Sequence, residues 1–202
     1  MKFQTVAKKV TDIDRTAALS RALFGSKLSR GSMVPVWLDD SVLAAYLLDM
    51  GAAHRTVVAA FLRNAVNDSD VTINEISKFI YSLNDSSHVL NIMQSFTLMR
   101  ASASPINTLT KFVQNGHAPS TAAHIWVAEK CLQLIRIERT YGKISDLELE
   151  NIKESLGLMS INLSDEVLDE HIALTLDVVD RLGHVQKYST RALTRLIEEF
   201  NV

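Results

Sequence analysis

Pro119-Ser-Thr-Ala-Ala-His-Ile-Trp-Val-Ala-Glu-Lys-Cys-Leu-Gln-Leu-Ile-Arg-Ile-Glu-Arg-Thr140 is the stretch that assigns the fold. Ile125, Leu132 and Ile135 recur at helical spacing, and Trp126, Val127, Cys131, Leu134 and Ile137 widen them into a broad apolar band. Apolar residues at intervals of three and four give a helix a buried face. A band this wide fits a central helix with neighbours on two sides. Pro119 suits the opening, because a proline in the first turn gives up no intrahelical hydrogen bond. One long helix is predicted there.

The same punctuation extends in both directions. Only 7 Gly and 3 Pro occur in 202 residues, too few for a chain of short strands and tight turns. Ser104-Pro105 reads as another helix start. Asn115-Gly116 and Leu156-Gly157 read as stops, because glycine tolerates the left-handed conformation after a helix. Thr72-Ile-Asn-Glu75 and Ser145-Asp-Leu-Glu148 are capping boxes, in which each partner satisfies a free N–H of the first turn. Asp39 and Asp40 are read as caps of a helix running to Met50, with Gly51 after it. A second helix follows with Val57, Val58, Phe61, Leu62 and Val66 inward, and Ile76, Phe79, Ile80 and Leu83 mark the next. Ser164 is read as the cap of a helix to Leu182, and Gly183-His184 as the break before a last helix ending at Phe200. The expectation is an all-α protein, an irregular bundle of eight to ten helices. Its expected core includes Phe61, Phe79, Trp126, Leu132, Ile135, Ile172 and Val179.

Charge is uneven along the chain. Residues 1–30 hold seven cations against two anions, a net of +5, so with −2 overall the remainder carries −7. Phe3, Val6, Val10 and Ile13 form a short apolar helical stripe in that basic segment. Gly25 to Gly31 reads as a linker. Residues 1–30 are therefore expected to be a basic N-terminal arm or first helix, and 31–202 a single helical domain with a sub-boundary near 101–118. Lys8, Lys9 and Arg15 beside Phe3, Val6, Val10 and Ile13 make this segment a candidate partner-binding surface.

Lys187, Arg191 and Arg195 make a second candidate, a cationic stripe at four-residue spacing opposite Leu193, Leu196, Ile197 and Phe200. The preceding segment carries Glu166, Glu170, Asp177 and His184 on one side and Leu168, Ile172, Thr175, Val179 and Leu182 on another. The plain expectation is a helical hairpin with complementary faces. The sharper one is docking of a stripe on another subunit or on a nucleic-acid backbone.

Chemistry finds little support. No Gly-x-Ser-x-Gly, phosphate-binding glycine loop or Glu-x-x-His occurs. His124 and Cys131 lie seven apart without a second pair at ligand spacing. Thr72 to Gln94 resembles a helix-turn-helix, but Ser86, Ser87, His88, Asn91 and Gln94 bring no cation to the would-be recognition helix. Phosphate contacts dominate DNA affinity and need cations. The expected function is non-enzymatic: a helical binding or assembly protein that self-associates, of the kind viruses, phages and mobile elements use as structural or accessory proteins. The alternative is a nucleic-acid-binding regulator or nucleoprotein using the basic segment and the 187–195 stripe, and a small enzyme without a local motif comes third. No metal, cofactor or small-molecule substrate is expected. A homo-oligomer or another protein is the expected partner. One cysteine and no apolar run near the ~20 residues of a membrane span point to a cytoplasmic setting, a host cytoplasm or virion if viral.

Overall fold

The computed structural model describes residues 11–29, 34–65, 71–101, 119–140, 142–163 and 165–200, with side chains as far as 184 in the last stretch. Among them are eight α-helices: α1 Asp12–Phe24, α2 Val36–Asp49, α3 His54–Leu62, α4 Ile73–Ile80, α5 Ser86–Ala101, α6 Pro119–Arg139, α7 Asp146–Asn162 and α8 Glu166–Phe200. The protein is all-α. Its one β feature among the described residues is an isolated antiparallel bridge, Leu28 to Pro35. The chain divides into two compact units, Met1–Gln94 and Ser95–Val202.

In the first unit, α1 packs on both α2 and α3. Thr11 starts α1 with a full capping box to Asp14. Thr11 is itself extended, so no helix runs through it and the stripe Phe3 to Ile13 is not one continuous helix. Phe3, Val6, Lys8, Lys9 and Val10 lie outside the described residues. Ile13 and Arg15 belong to α1, where Arg15 donates to the Ser82 carbonyl oxygen at 2.8 Å and hydroxyl at 2.6 Å. Asp12, buried, accepts from the backbone and side-chain nitrogens of Asn84, each at 2.8 Å. Residues 12–24 are thus folded onto their unit. The glycine-bounded linker is also tied down where it is described. The Lys27 N–H bonds to Phe24, Ser29 to Val34, and Lys27 accepts from Val36.

The Thr72 box forms as read, whereas at Ser145 only half of the expected box forms, Ser145 Oγ accepting from the Glu148 N–H. Three expected punctuation marks do not hold. α2 begins at Val36 after Pro35, so Asp39 and Asp40 lie inside the helix rather than at its cap. Gly157 sits within α7, and Gly183 within α8. A lone glycine costs a helix only about 1 kcal/mol, less than unseating the buried side chains beside each of these two, Leu156 and Met159 at Gly157 and Val179 and Leu182 at Gly183. The expected terminal hairpin is therefore one helix of 35 residues. Ser104-Pro105, Asn115-Gly116, Val66 and Ser164 lie outside the described residues. Asp165 does capping work at the α8 start, accepting from the Leu168 N–H at 3.1 Å.

The second unit centres on α6, α7 and α8. α8 packs on both of the others. Contacts fix the directions. His124 meets Asp165 near the starts of α6 and α8, and Glu138 meets Arg181 much further on, so these helices run parallel. Lys153 pairs with Asp180 and Ser160 with Asp169, so α7 runs antiparallel to α8. Residues Thr121 to Ala128 are buried without interruption, as a central helix requires. Past that point the inward line is Cys131 and Leu134, while Leu132 and Ile135 are half-buried. Phe79 is also half-buried, whereas Phe61, Trp126, Ile172 and Val179 are buried as expected. The α8 reading holds where side chains are described: Glu166, Glu170, Asp177 and His184 are exposed, and Leu168, Ile172, Thr175, Val179 and Leu182 buried.

Candidate protein-interaction face

α2 carries apolar residues on its outward side as well as its inward one. Its sequence, Val-Trp-Leu-Asp-Asp-Ser-Val-Leu-Ala-Ala-Tyr-Leu-Leu-Asp, holds four polar residues. One of them, Asp40, has no exposed surface. Meanwhile Leu38, Val42 and Leu48 are 40%, 44% and 49% exposed. At 100° per residue, Leu38, Val42, Ala45 and Leu48 lie on one side, with Ala45 also exposed. Leu43, Ala44 and Leu47 fill the opposite, buried side. Only Asp49 and half-buried Ser41 interrupt the outward arc. Exposed large apolar residues elsewhere are dispersed: Leu147 and Ile161 share α7's outer side with Glu150 and Glu154, Leu174 sits between Glu170 and Asp177, and Leu28, Tyr81 and Leu98 lie on three other segments. Single exposed leucines are ordinary, but an apolar helix side is not.

Asp40 explains why α2 must present this side. Its carboxylate accepts from Ser20 Oγ of α1 at 2.7 Å and from Asn64 Nδ2 at 2.9 Å, and pairs with the buried Arg63 guanidinium. Three segments meet at one carboxylate. Burial pushes the Asp40 pKa up to about 6, against the Arg63 charge and the Ser20 and Asn64 hydrogen bonds, which pull it down. Rotating α2 to hide its leucines would strand Asp40 and Arg63, and a buried charge without its partner is costly. At the two ends of the outward side lie opposite charges. The exposed Arg21 guanidinium stacks over Trp37 at 5.1 Å from the ring centre. Asp49 is exposed at the other end and has no ion pair among the described residues.

The second unit holds a different polar cluster. His124 Nε2 lies 3.2 Å from Asp165 Oδ2, and the His124 and His171 rings meet edge to face at 5.2 Å. Both histidines are buried, and Thr175 Oγ1 donates to the His171 carbonyl at 2.7 Å. Burial, with His124 adding to it, lowers His171 to about 4, against the pull of Asp165. Burial works to raise Asp165, but the Leu168 and Val167 N–H groups and His124 leave it below the usual carboxylate value. The cluster fastens the start of α6 to the start of α8. It was legible in part: His171 falls in phase with the inward residues Leu168, Ile172 and Thr175. Nothing in the sequence pairs it with His124, 47 positions away. Among the described residues, no group of three or more His, Cys, Asp or Glu side chains could hold a metal ion. No described helix is long and apolar enough to cross a membrane.

Of the other candidates read from the sequence, Ile13 is half-buried and Arg15 holds the Ser82 turn within its own unit. Lys187, Arg191 and Arg195 lie on α8, and their side chains are outside the described residues. The α4–α5 pair exists, with Ser87, His88, Asn91 and Gln94 exposed on α5. The α2 side was missed because Leu38, Val42 and Leu48 alternate with Leu43 and Leu47, so periodicity alone cannot choose which set faces inward. The chain matches no known protein-family model and no curated protein.

Proposed function

We propose that this is a non-enzymatic helical assembly protein that acts by self-association through an apolar surface. The observation that supports the reading is the outward side of α2, where Leu38, Val42 and Leu48 face solvent while Asp40 is buried. Folding gains nothing from leucines left in water, whereas association recovers roughly 25 cal/mol for each Å² of apolar surface covered. Neither buried cluster offers an exposed reacting group: the Asp40 carboxylate is spent on Ser20, Arg63 and Asn64, and both His124 and His171 are buried. Light scattering of the full chain across a dilution series, from sub-millimolar to sub-micromolar, tests the reading. Concentration-dependent oligomers are expected. A monomer at every concentration would overturn it.

A further inference from the structure

Resting on that reading, we propose that the α2 side is a homodimer interface in which α2 pairs antiparallel with α2 of a second copy about a two-fold axis midway between Val42 and Ala45. Three features favour a second copy over any other occupant. The apolar side is largely self-complementary in profile: an axis between Val42 and Ala45 sets Val42 opposite the partner copy's Ala45 and Leu38 at the level of its Asp49, one residue's rise from its Leu48. Ala45 is small, so the helices can approach at the 8–10 Å typical of packed pairs. The charges also match. Antiparallel pairing brings Asp49 of one copy to the Arg21–Trp37 end of the other, twice per dimer. Asp49 sits in the last turn of α2 with no basic residue there. A carboxylate at that end opposes the helix dipole. A guanidinium arriving from a second copy offsets both.

The helix is short. Its 14 residues span about 21 Å at 1.5 Å per residue. At a helix width of about 10 Å, one side offers roughly 200 Å², less than the roughly 800 Å² per partner of a standard stable interface. The expected dimer therefore dissociates on dilution toward the micromolar range.

A short thiol-to-thiol cross-linker tests the geometry on the full chain, whose single native cysteine, Cys131, is buried. The Ala45→Cys variant is expected to cross-link into a dimer. Asp49→Cys is expected not to, because antiparallel pairing sets those positions about 16 Å apart along the axis at 1.5 Å per residue. Val42→Glu added to Ala45→Cys is expected to abolish the product with an unchanged circular dichroism spectrum, since residue 42 faces solvent. Arg21→Glu or Asp49→Arg alone should weaken dimerisation, and the two together restore it. That rescue has no explanation in a folding defect. Equal cross-linking at 45 and 49 would mean parallel pairing and overturn the proposal. So would an oligomer in light scattering that Val42→Glu leaves intact, although self-assembly would then stand. A monomeric chain would remove both. If Ala45→Cys resists a monofunctional maleimide until residues 1–10 are deleted, the chain's own N-terminal segment covers the side and the dimer proposal fails.

Discussion

Asp40 shows how one buried carboxylate can set the orientation of a helix. Its partners come from α1 and from the end of α3, and none can reach it if α2 turns. Asp40→Ala leaves the Arg63 charge buried without its partner and is expected to cost about 3–5 kcal/mol, read as an earlier urea midpoint. His171 acts in the opposite sense to Asp40 as pH changes. Its folded value is about 4 against an ordinary 6.5. Its contribution is therefore whole above pH 6.5 and declines as pH falls toward 4, by about 3 kcal/mol at 1.36 kcal/mol per unit. Asp40, raised from 3.8 to about 6, favours the folded state when protonated, so the first unit gains as the second loses over that interval. The two tryptophans divide conveniently, Trp37 in the first unit and Trp126 in the second. In a Trp37→Phe chain, Trp126 fluorescence should report unfolding at progressively lower urea as pH falls from 6.5 to 4. His171→Leu should flatten that dependence. An unchanged slope would mean His171 does not titrate with folding.

At the scale of elements, helix phase decides which leucine matters. Leu134 has no exposed surface, while Leu132 is half-buried. Leu134→Ala is expected to cost about 2–5 kcal/mol, and Leu132→Ala clearly less, in the same denaturation experiment. Equal losses would mean α6 is rotated from the position described. Gly183 carries the other test. A Cβ there meets nothing within 4 Å, and its backbone is not in the left-handed region. Gly183→Ala should then stabilise α8 by about 0.5–1 kcal/mol, the helix-interior cost of glycine relative to alanine. A loss of stability would restore the break between two helices. These positions show what sequence periodicity can and cannot deliver. The helices and the Thr72 cap were legible because they depend on residues within four positions of each other. The run through Gly183 was not, because glycine permits a stop without requiring one. The inward side of α2 was hidden for a further reason: its phase is set by Ser20, Arg63 and Asn64, which lie 20, 23 and 24 positions from Asp40, and no local pattern records them.

At the scale of the whole molecule, two forces could drive association, and salt separates them. The +5 of residues 1–30 and the Lys187, Arg191 and Arg195 stripe offer phosphate contacts, while the residues after 30 together carry −7. Binding to nucleic acid would release counterions, with a log–log slope near −0.9 per phosphate contact on duplex DNA. Three engaged stripe cations would by themselves give about −3 by the same relation. Association through Leu38, Val42 and Leu48 has no such dependence. Apolar burial strengthens when sulfate is excluded from protein surface, and the exposed Arg21–Asp49 pairs are each worth only about 0–1 kcal/mol. Self-association measured by sedimentation should therefore persist as sodium chloride rises through the physiological range, and tighten in sodium sulfate. Capture of random duplex DNA or single-stranded RNA should be weak at physiological salt. If instead the chain binds nucleic acid at micromolar concentrations there, falls away steeply with salt, and loses that binding when Lys187, Arg191 and Arg195 are reversed to glutamate, the electrostatic surface is the functional one. The α2 side would then be secondary to it.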